Sequence, residues 1–179
     1  MTPLSLQFVK GRAQVGCKGP RAAGWLAGQG LGVPADPNSY SLAPEAGGDL
    51  VLARLGSSEF FLEQEAAGDT LRRVAAGIAT SPPGVYPVLR EDCGWLLSGT
   101  EAVAMLAEVC NVNFAALDLS ARPVIMTLMV GVAVLIVPQA GAGERQYRIW
   151  CDPTYGPSLG ETLQGVIVEC GGTYLGVTA

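Results

Sequence analysis

Two stretches of this chain open a helix in nearly the same way. "KGPRAAGWL" begins at Lys18 and "SGTEAVAML" at Ser98, an offset of 80 residues. Each has a glycine, a residue suited to starting a helix, and small residues leading to an apolar pair. Aligned by their apolar stripes, Ala23 falls on Val103, Leu26 on Leu106 and Ala27 on Ala107. A second pair matches better: "GDTLRRVAAGI" from Gly68 lies on "GETLQGVIVEC" from Gly160, an offset of 92. Leu71, Val74, Ala75 and Ile78 then land on Leu163, Val166, Ile167 and Cys170, the one-face spacing of an amphipathic helix. The offsets differ by 12 residues, a net insertion between the helices of the second half. An aromatic strand precedes the later helix of each half, "EFFLE" and then "QYRIW". Each half therefore reads strand, helix, strands, helix, strand, the split β-α-β order of a ferredoxin-like unit. The expected fold class is α+β: tandem duplicated ferredoxin-like halves, 1–90 and 91–179, forming one body.

Local signals place the elements. Helices are expected from about Pro20 to Gly28 and from about Asp69 to Ala79. A third follows Ser98, where Ser98 and Glu101 have capping-box spacing and Thr100 is an alternative cap. A fourth starts at Ser158 with the similar pair Ser158–Glu161 and ends at Gly171–Gly172. "AQVGC" alternates as a strand, and "DLVLARLG" with "SEFFLEQ" reads as a hairpin turning at Gly56–Ser58. "YPVLRED" and "CGWLLSG" read as one strand interrupted near Asp92–Gly94. "PVIMTLMVGVAVLIVP" reads as two strands, or one kinked near Gly131, and "RQYRIWCD" closes the set. "LGVPADPNSYSLAPEAGGD" is expected to be a long surface connection, and "QAGAGERQ" a shorter loop.

Composition narrows the function classes. Apolar residues are 49% and charged residues 15% of 179, ample material for a core. A net charge of −5 argues against a nucleic-acid partner. Lys10, Arg12, Lys18 and Arg21 precede the first acidic residue, Asp36; they form a solvated edge or a basic rim for an acidic partner or anion. There is no histidine, which removes the commonest general base and metal ligand. The five cysteines are far apart in sequence and none has CxxC spacing, so reduced, mostly buried thiols in a cytoplasmic protein are expected. The N-terminus has no charged n-region of a signal peptide. The 14 residues between Pro123 and Pro138 are too few for the ~20 of a membrane helix and are expected to be core, so no membrane partner is expected.

"GPRAAGWLAGQGL", "GSSEFFLE", "CNVNF", "MTLMVGVAVLI" and "RIWCDPTYGPSL" together resemble the gamma subunit of heterotetrameric sarcosine oxidase, in the folate-binding superfamily of the glycine-cleavage T-protein, an aminomethyltransferase. The resemblance covers nearly the whole chain and includes no catalytic signature. It implies a subunit that binds no cofactor by itself and supports partners carrying flavin, dinucleotide and zinc. The sequence agrees, having no GxGxxG after a strand and no zinc-ligand cluster; "GQGLG" at Gly28 follows a helix and reads as its cap and turn. The T-protein has a Gly-Tyr-Thr-Gly-Glu-like segment where this chain reads "GAGE", 141–144, without the Tyr and Thr. It also continues into a further C-terminal barrel where this sequence ends at "YLGVTA".

The resemblance implies three positions for a folate crevice between the halves, with tetrahydrofolate as the candidate cofactor. Asp49 lies where the T-protein has a carboxylate beside folate, and it also suits an ordinary turn after Gly-Gly. Arg54 could meet an anionic folate tail, or be a solvated strand residue, and Glu144 is the remaining acid of the altered loop. Arg148 and Trp150 alternate with Tyr147 and Ile149; if the latter pair faces the core, Arg148 and Trp150 face outward as interface anchors, or Trp150 covers the fourth helix. The expected function is a cofactor-free structural subunit of a sarcosine-oxidase-like complex, partnered by the other subunits or self-associating. The alternative is a stand-alone folate-binding protein or degenerate aminomethyltransferase.

Overall fold

Alternating apolar residues build two separate sheets in the computed structural model, which describes residues 2–44, 49–65, 68–140 and 145–176. In chain order the elements are β1 (Ser5–Val9), β2 (Arg12–Lys18), α1 (Ala22–Gly28), β3 (Ser39–Ala43), β4 (Leu50–Arg54), β5 (Glu59–Glu65), α2 (Asp69–Ala79) and β6 (Tyr86–Val88). They continue with β7 (Cys93–Ser98), α3 (Ala102–Val109), β8 (Ile125–Met129), β9 (Val132–Ala140), β10 (Arg145–Cys151), α4 (Gly156–Glu169) and β11 (Thr173–Leu175). The fold is mixed α+β.

One compact unit is Gly11–Glu91. Its sheet has the order β3-β4-β5-β2-β6, with every neighbouring pair antiparallel. Leu50, Leu52, Phe60 and Leu62 point from alternate strand positions into a core shared with Leu26 of α1 and Leu71, Val74 and Ile78 of α2. The α2 stripe is thus the one its sequence spacing dictates.

The other unit joins Met1–Lys10 to Asp92–Ala179. Its sheet has the order β11-β1-β7-β10-β9-β8. Trp95, Leu97, Tyr147 and Ile149 face a core completed by Leu106 of α3 and Leu159, Leu163 and Ile167 of α4. The first ten residues, placed by sequence with the first half, lie here because β1 pairs antiparallel with β7 and parallel with β11. Leu6, opposite Leu97, has no exposed surface.

Several local expectations need correction. Tyr86–Val88 and Cys93–Ser98 are not one interrupted strand: β6 pairs with β2, while β7 pairs with β1 and β10. The long connection after α1 contains a true edge strand, β3, whose Tyr40 is buried. Ser98 does not cap α3. It ends β7, its hydroxyl shares a 3.0 Å hydrogen bond with that of Ser5, and α3 begins only at Ala102. Helix α4 starts before Ser158, at Gly156 with Pro157 in its first turn, and the Ser158 hydroxyl donates to the Tyr155 carbonyl. Proline suits that position because its missing N–H has no intrahelical partner there.

The apolar run after Pro123 is a tight hairpin of β8 and β9, turning at Val130 (φ 48°) and Gly131 (φ 82°). Two successive positive φ values make the hairpin turn whose twist matches its strands. The run is not all core. Met126, Leu128 and Val130 are 54%, 60% and 50% exposed, while Thr127 and Met129 point the other way. Period-2 geometry requires this division, and an apolar composition on both faces conceals it.

Candidate functional site

Helix α4 carries glycines four residues apart, and at the first of them it lies close over β7. A Cβ at Gly156 would stand 2.5 Å from Cys93 Sγ, and one at Gly160 would stand 3.5 Å from the Trp95 ring. Beside this contact is a cavity of about 260 Å³ lined by Phe8, Cys93, Trp95, Glu161, Gln164 and Tyr174, among others. Phe8 meets Trp95 edge-on, with ring centroids 5.5 Å apart. The Trp95 indole N–H is buried and has no hydrogen-bond acceptor among the described residues. The walls are mainly aromatic, and α4 adds one carboxylate and one amide.

Burial, and then the charges of Asp92 and Asp152, push the Cys93 thiol up from its ordinary value. Cys151, opposite it on β10, is pushed up to about 12, chiefly by burial. Both thiols are therefore protonated at neutral pH, and the cavity holds no ready thiolate. Asp152 is held below the usual carboxylate range by the hydroxyl and backbone N–H of Thr154.

A second depression of about 430 Å³ lies at the start of α3, lined by Gly99, Thr100, Ala102, Val103, Ala115 and Arg145. The Arg145 guanidinium donates to the Phe114 carbonyl at 3.0 Å. Among the described residues no group of three His, Cys, Asp or Glu side chains converges as a metal site. No helix among them is long and apolar enough to cross a membrane.

Asp49 and Arg54, two of the residues singled out for a folate crevice, stand at opposite ends of one strand. Asp49 is exposed just before β4, and Arg54 ends that strand, about 17 Å away at the rise of an extended chain. Arg54 is half-buried, and its guanidinium is already engaged. Its guanidinium donates to the carbonyls of Pro34 (3.0 Å), Ala35 (2.5 Å), Gly56 (3.2 Å) and Ser57 (2.9 Å), and it lies 5.7 Å over the Phe60 ring. Those contacts staple the loop after α1 to the β4–β5 turn, so this arginine is a structural anchor. Glu144 and the rest of 141–144 lie outside the described residues.

Trp150 is not an outward anchor: it is 2% exposed, against Gly94, whose Cβ position is 3.3 Å from the indole Cδ1. Arg148 is half-buried beside it. Sequence reasoning assigned no role to the Cys93–Trp95 cavity. The alternation of "CGW" under a helix with glycines four apart was the available signal.

Comparison with known proteins comes through the fold. No protein-family model and no curated protein matches the sequence. Among solved structures, the glycine cleavage system aminomethyltransferase T from Bartonella henselae matches with a TM-score of 0.70 and 18% identity, over 97% of this chain and 48% of that one. This chain thus spans about half the length of that enzyme. A chain of the heterotetrameric sarcosine oxidase from Corynebacterium sp. U-96 matches with a TM-score of 0.71 and 21% identity, over 98% of this chain and 88% of that one. At these identities the similarity is one of fold, and the chain has the T-protein-like fold that both structures share.

Proposed function

We propose that this chain is a cofactor-free structural subunit of a sarcosine-oxidase-like complex, supporting a flavin- and tetrahydrofolate-dependent oxidation of amines. The extent of the matches carries this reading. The oxidase chain corresponds to this one over 88% of its own length, the aminomethyltransferase over only 48%. The engagement of Arg54 with four backbone carbonyls supports it too, since a folate tail would have to displace that anchor. A partner surface is offered by Met126 and Leu128 on edge strand β8 and Val130 in the turn that follows it.

The reading includes an internal duplication. Element for element, β2-α1-β3-β4-β5-α2-β6 corresponds to β7-α3-β8-β9-β10-α4-β11. The sheet orders agree as well, once β1 is set aside between β7 and β11. Without edge strands β3 and β8, each unit has the strand order of a ferredoxin-like sheet.

Affinity purification of the tagged chain from its native host, read by visible flavin absorbance and subunit masses, tests the function. A yellow eluate with larger partner subunits is the expected result. A colourless, solitary chain that takes up tetrahydrofolate on titration would overturn it in favour of a folate-binding protein.

A further inference from the structure

We propose that Cys93 and Cys151 are a modification site: a dithiol that closes to a disulfide across β7 and β10 when the chain meets a peroxide. The two residues are direct partners in the antiparallel register of these strands. Partners in such a ladder have Cα atoms about 4.5–5.5 Å apart, inside the window of about 4.4–6.8 Å that a disulfide spans. Direct partners also project to the same face of the sheet, so both thiols sit on the core side with Trp95 and Ile149. Both are free thiols here. Each lies close enough to the same two carboxylates, Asp92 and Asp152, to be raised by them, and Cys151 is raised by Cys93 as well. None of the other three cysteines has a cysteine as a strand partner.

Burial assigns the two roles. Cys93 is half-buried and lines the 260 Å³ cavity beside α4, whereas Cys151 is 3% exposed. Peroxide therefore meets Cys93 first. The Cys93 thiolate attacks one peroxide oxygen, the O–O bond breaks, hydroxide leaves and takes up the proton the thiol gave up, and Cys93 becomes a sulfenic acid with release of one water. The Cys151 sulfur then attacks the Cys93 sulfur, the S–O bond breaks, and the hydroxyl leaves with the Cys151 proton as a second water. Two thiols have lost two electrons and two protons, and one peroxide has become two waters. The absence of a side chain at Gly156 is what leaves room for the Cys93 sulfur beneath α4. Once bonded, that sulfur turns toward β10 and the cavity wall loses its thiol.

The raised thiol pKa values make the reaction slow at neutral pH, with a rate rising about tenfold per pH unit as thiolate accumulates. They also make the resulting disulfide a poor target for reduction, because both leaving thiolates are high in energy.

The test treats the whole chain with hydrogen peroxide, quenches with acid, alkylates the remaining thiols and digests with a glutamate-specific protease. Cleavage after Glu91, Glu101, Glu144 and Glu161 isolates Cys93 in 92–101 and Cys151 in 145–161, away from the other cysteines. The expected product is 92–101 joined to 145–161, with an intact mass lower by two hydrogens. In Cys151→Ser the link is absent and a sulfenic-acid probe labels Cys93. Both cysteines still alkylated, a link to any other cysteine, or Cys93 driven to sulfinic acid with Cys151 free would overturn the proposal. The wild-type peptide map decides the matter even where the variant does not fold.

Discussion

Gly99 and the backbone of Leu4 occupy nearly the same space: a Cβ on Gly99 would stand 2.6 Å from Leu4 Cα. Gly99 also has φ +116°, a conformation that a side chain disfavours. The Leu4 backbone cannot yield, because it leads into β1, and β1 is hydrogen-bonded between β7 and β11. Gly99→Ala combines strain with a backbone clash and is expected to cost about 2–4 kcal/mol. A urea midpoint lowered with an unchanged slope is the readout. A midpoint equal to wild type would mean that β1 is not held where Gly99 places it.

Gly165 is the opposite case. It lies inside α4, with nothing within 4 Å of its Cβ position and an ordinary helical φ. Gly165→Ala is expected to stabilise the chain by about 0.5–1 kcal/mol, by raising helix propensity and restricting the unfolded chain. Measured beside Gly99→Ala, the pair separates packing from propensity with the same chemical change.

Arg54→Lys keeps the charge and loses the fork. One ammonium cannot reach carbonyls on both the 34–35 and 56–57 segments as the guanidinium does. A loss of about 1–2 kcal/mol is expected. Amide exchange should quicken at Asn38, whose N–H donates to the Arg54 carbonyl, and at Gly19, whose N–H donates to that of Ser58. Exchange unchanged at both would make Arg54 a surface residue after all.

The helices were legible because their signal is local: the α2 stripe of Leu71, Val74 and Ile78 is buried as its spacing requires. Hairpins announced themselves through Gly56–Ser58 and Gly131, where turn chemistry is confined to a few residues. Strand partners remote in sequence were not legible. Nothing within "SLQFV" states that it pairs with "CGWLLS", and nothing in "YSLA" distinguishes an edge strand from a loop. Long-range partners set the roles of single side chains in the same way. Arg54 acquires its role from carbonyls 19 and 20 residues before it in the chain, and Cys93 acquires Cys151 through strand register.

Buried thiols predict a pH dependence. Burial pushes Cys17 up to about 11, well above the value of an exposed thiol. A raised folded-state pKa gives a contribution fully present below the unfolded pKa, near 9, and lost as pH rises through the folded one. Stability is therefore expected to fall between about pH 9 and 11, by about 1.4 kcal/mol per pH unit for each such thiol. Cys17→Val removes that thiol and should flatten the decline in urea midpoints over this range. A wild-type midpoint level from pH 8 to 11 would show that Cys17 ionises as readily folded as unfolded.

Leu128 lies on the outward face of β8, 60% exposed, with Met126 on the same face and Val130 exposed in the turn that follows. An outward side chain there contributes little to the fold of a lone chain, so Leu128→Glu should change stability by less than about 0.5 kcal/mol. In a complex the same glutamate would be buried against an apolar partner, where an unpaired carboxylate costs several kcal/mol. Co-purification of partner subunits from the native host should therefore drop at least tenfold, while the thermal midpoint of the isolated variant stays within a few degrees of wild type. Undiminished recovery of partners would move the contact surface away from β8. A collapsed thermal midpoint would instead show Leu128 packed within its own unit, contrary to its exposure.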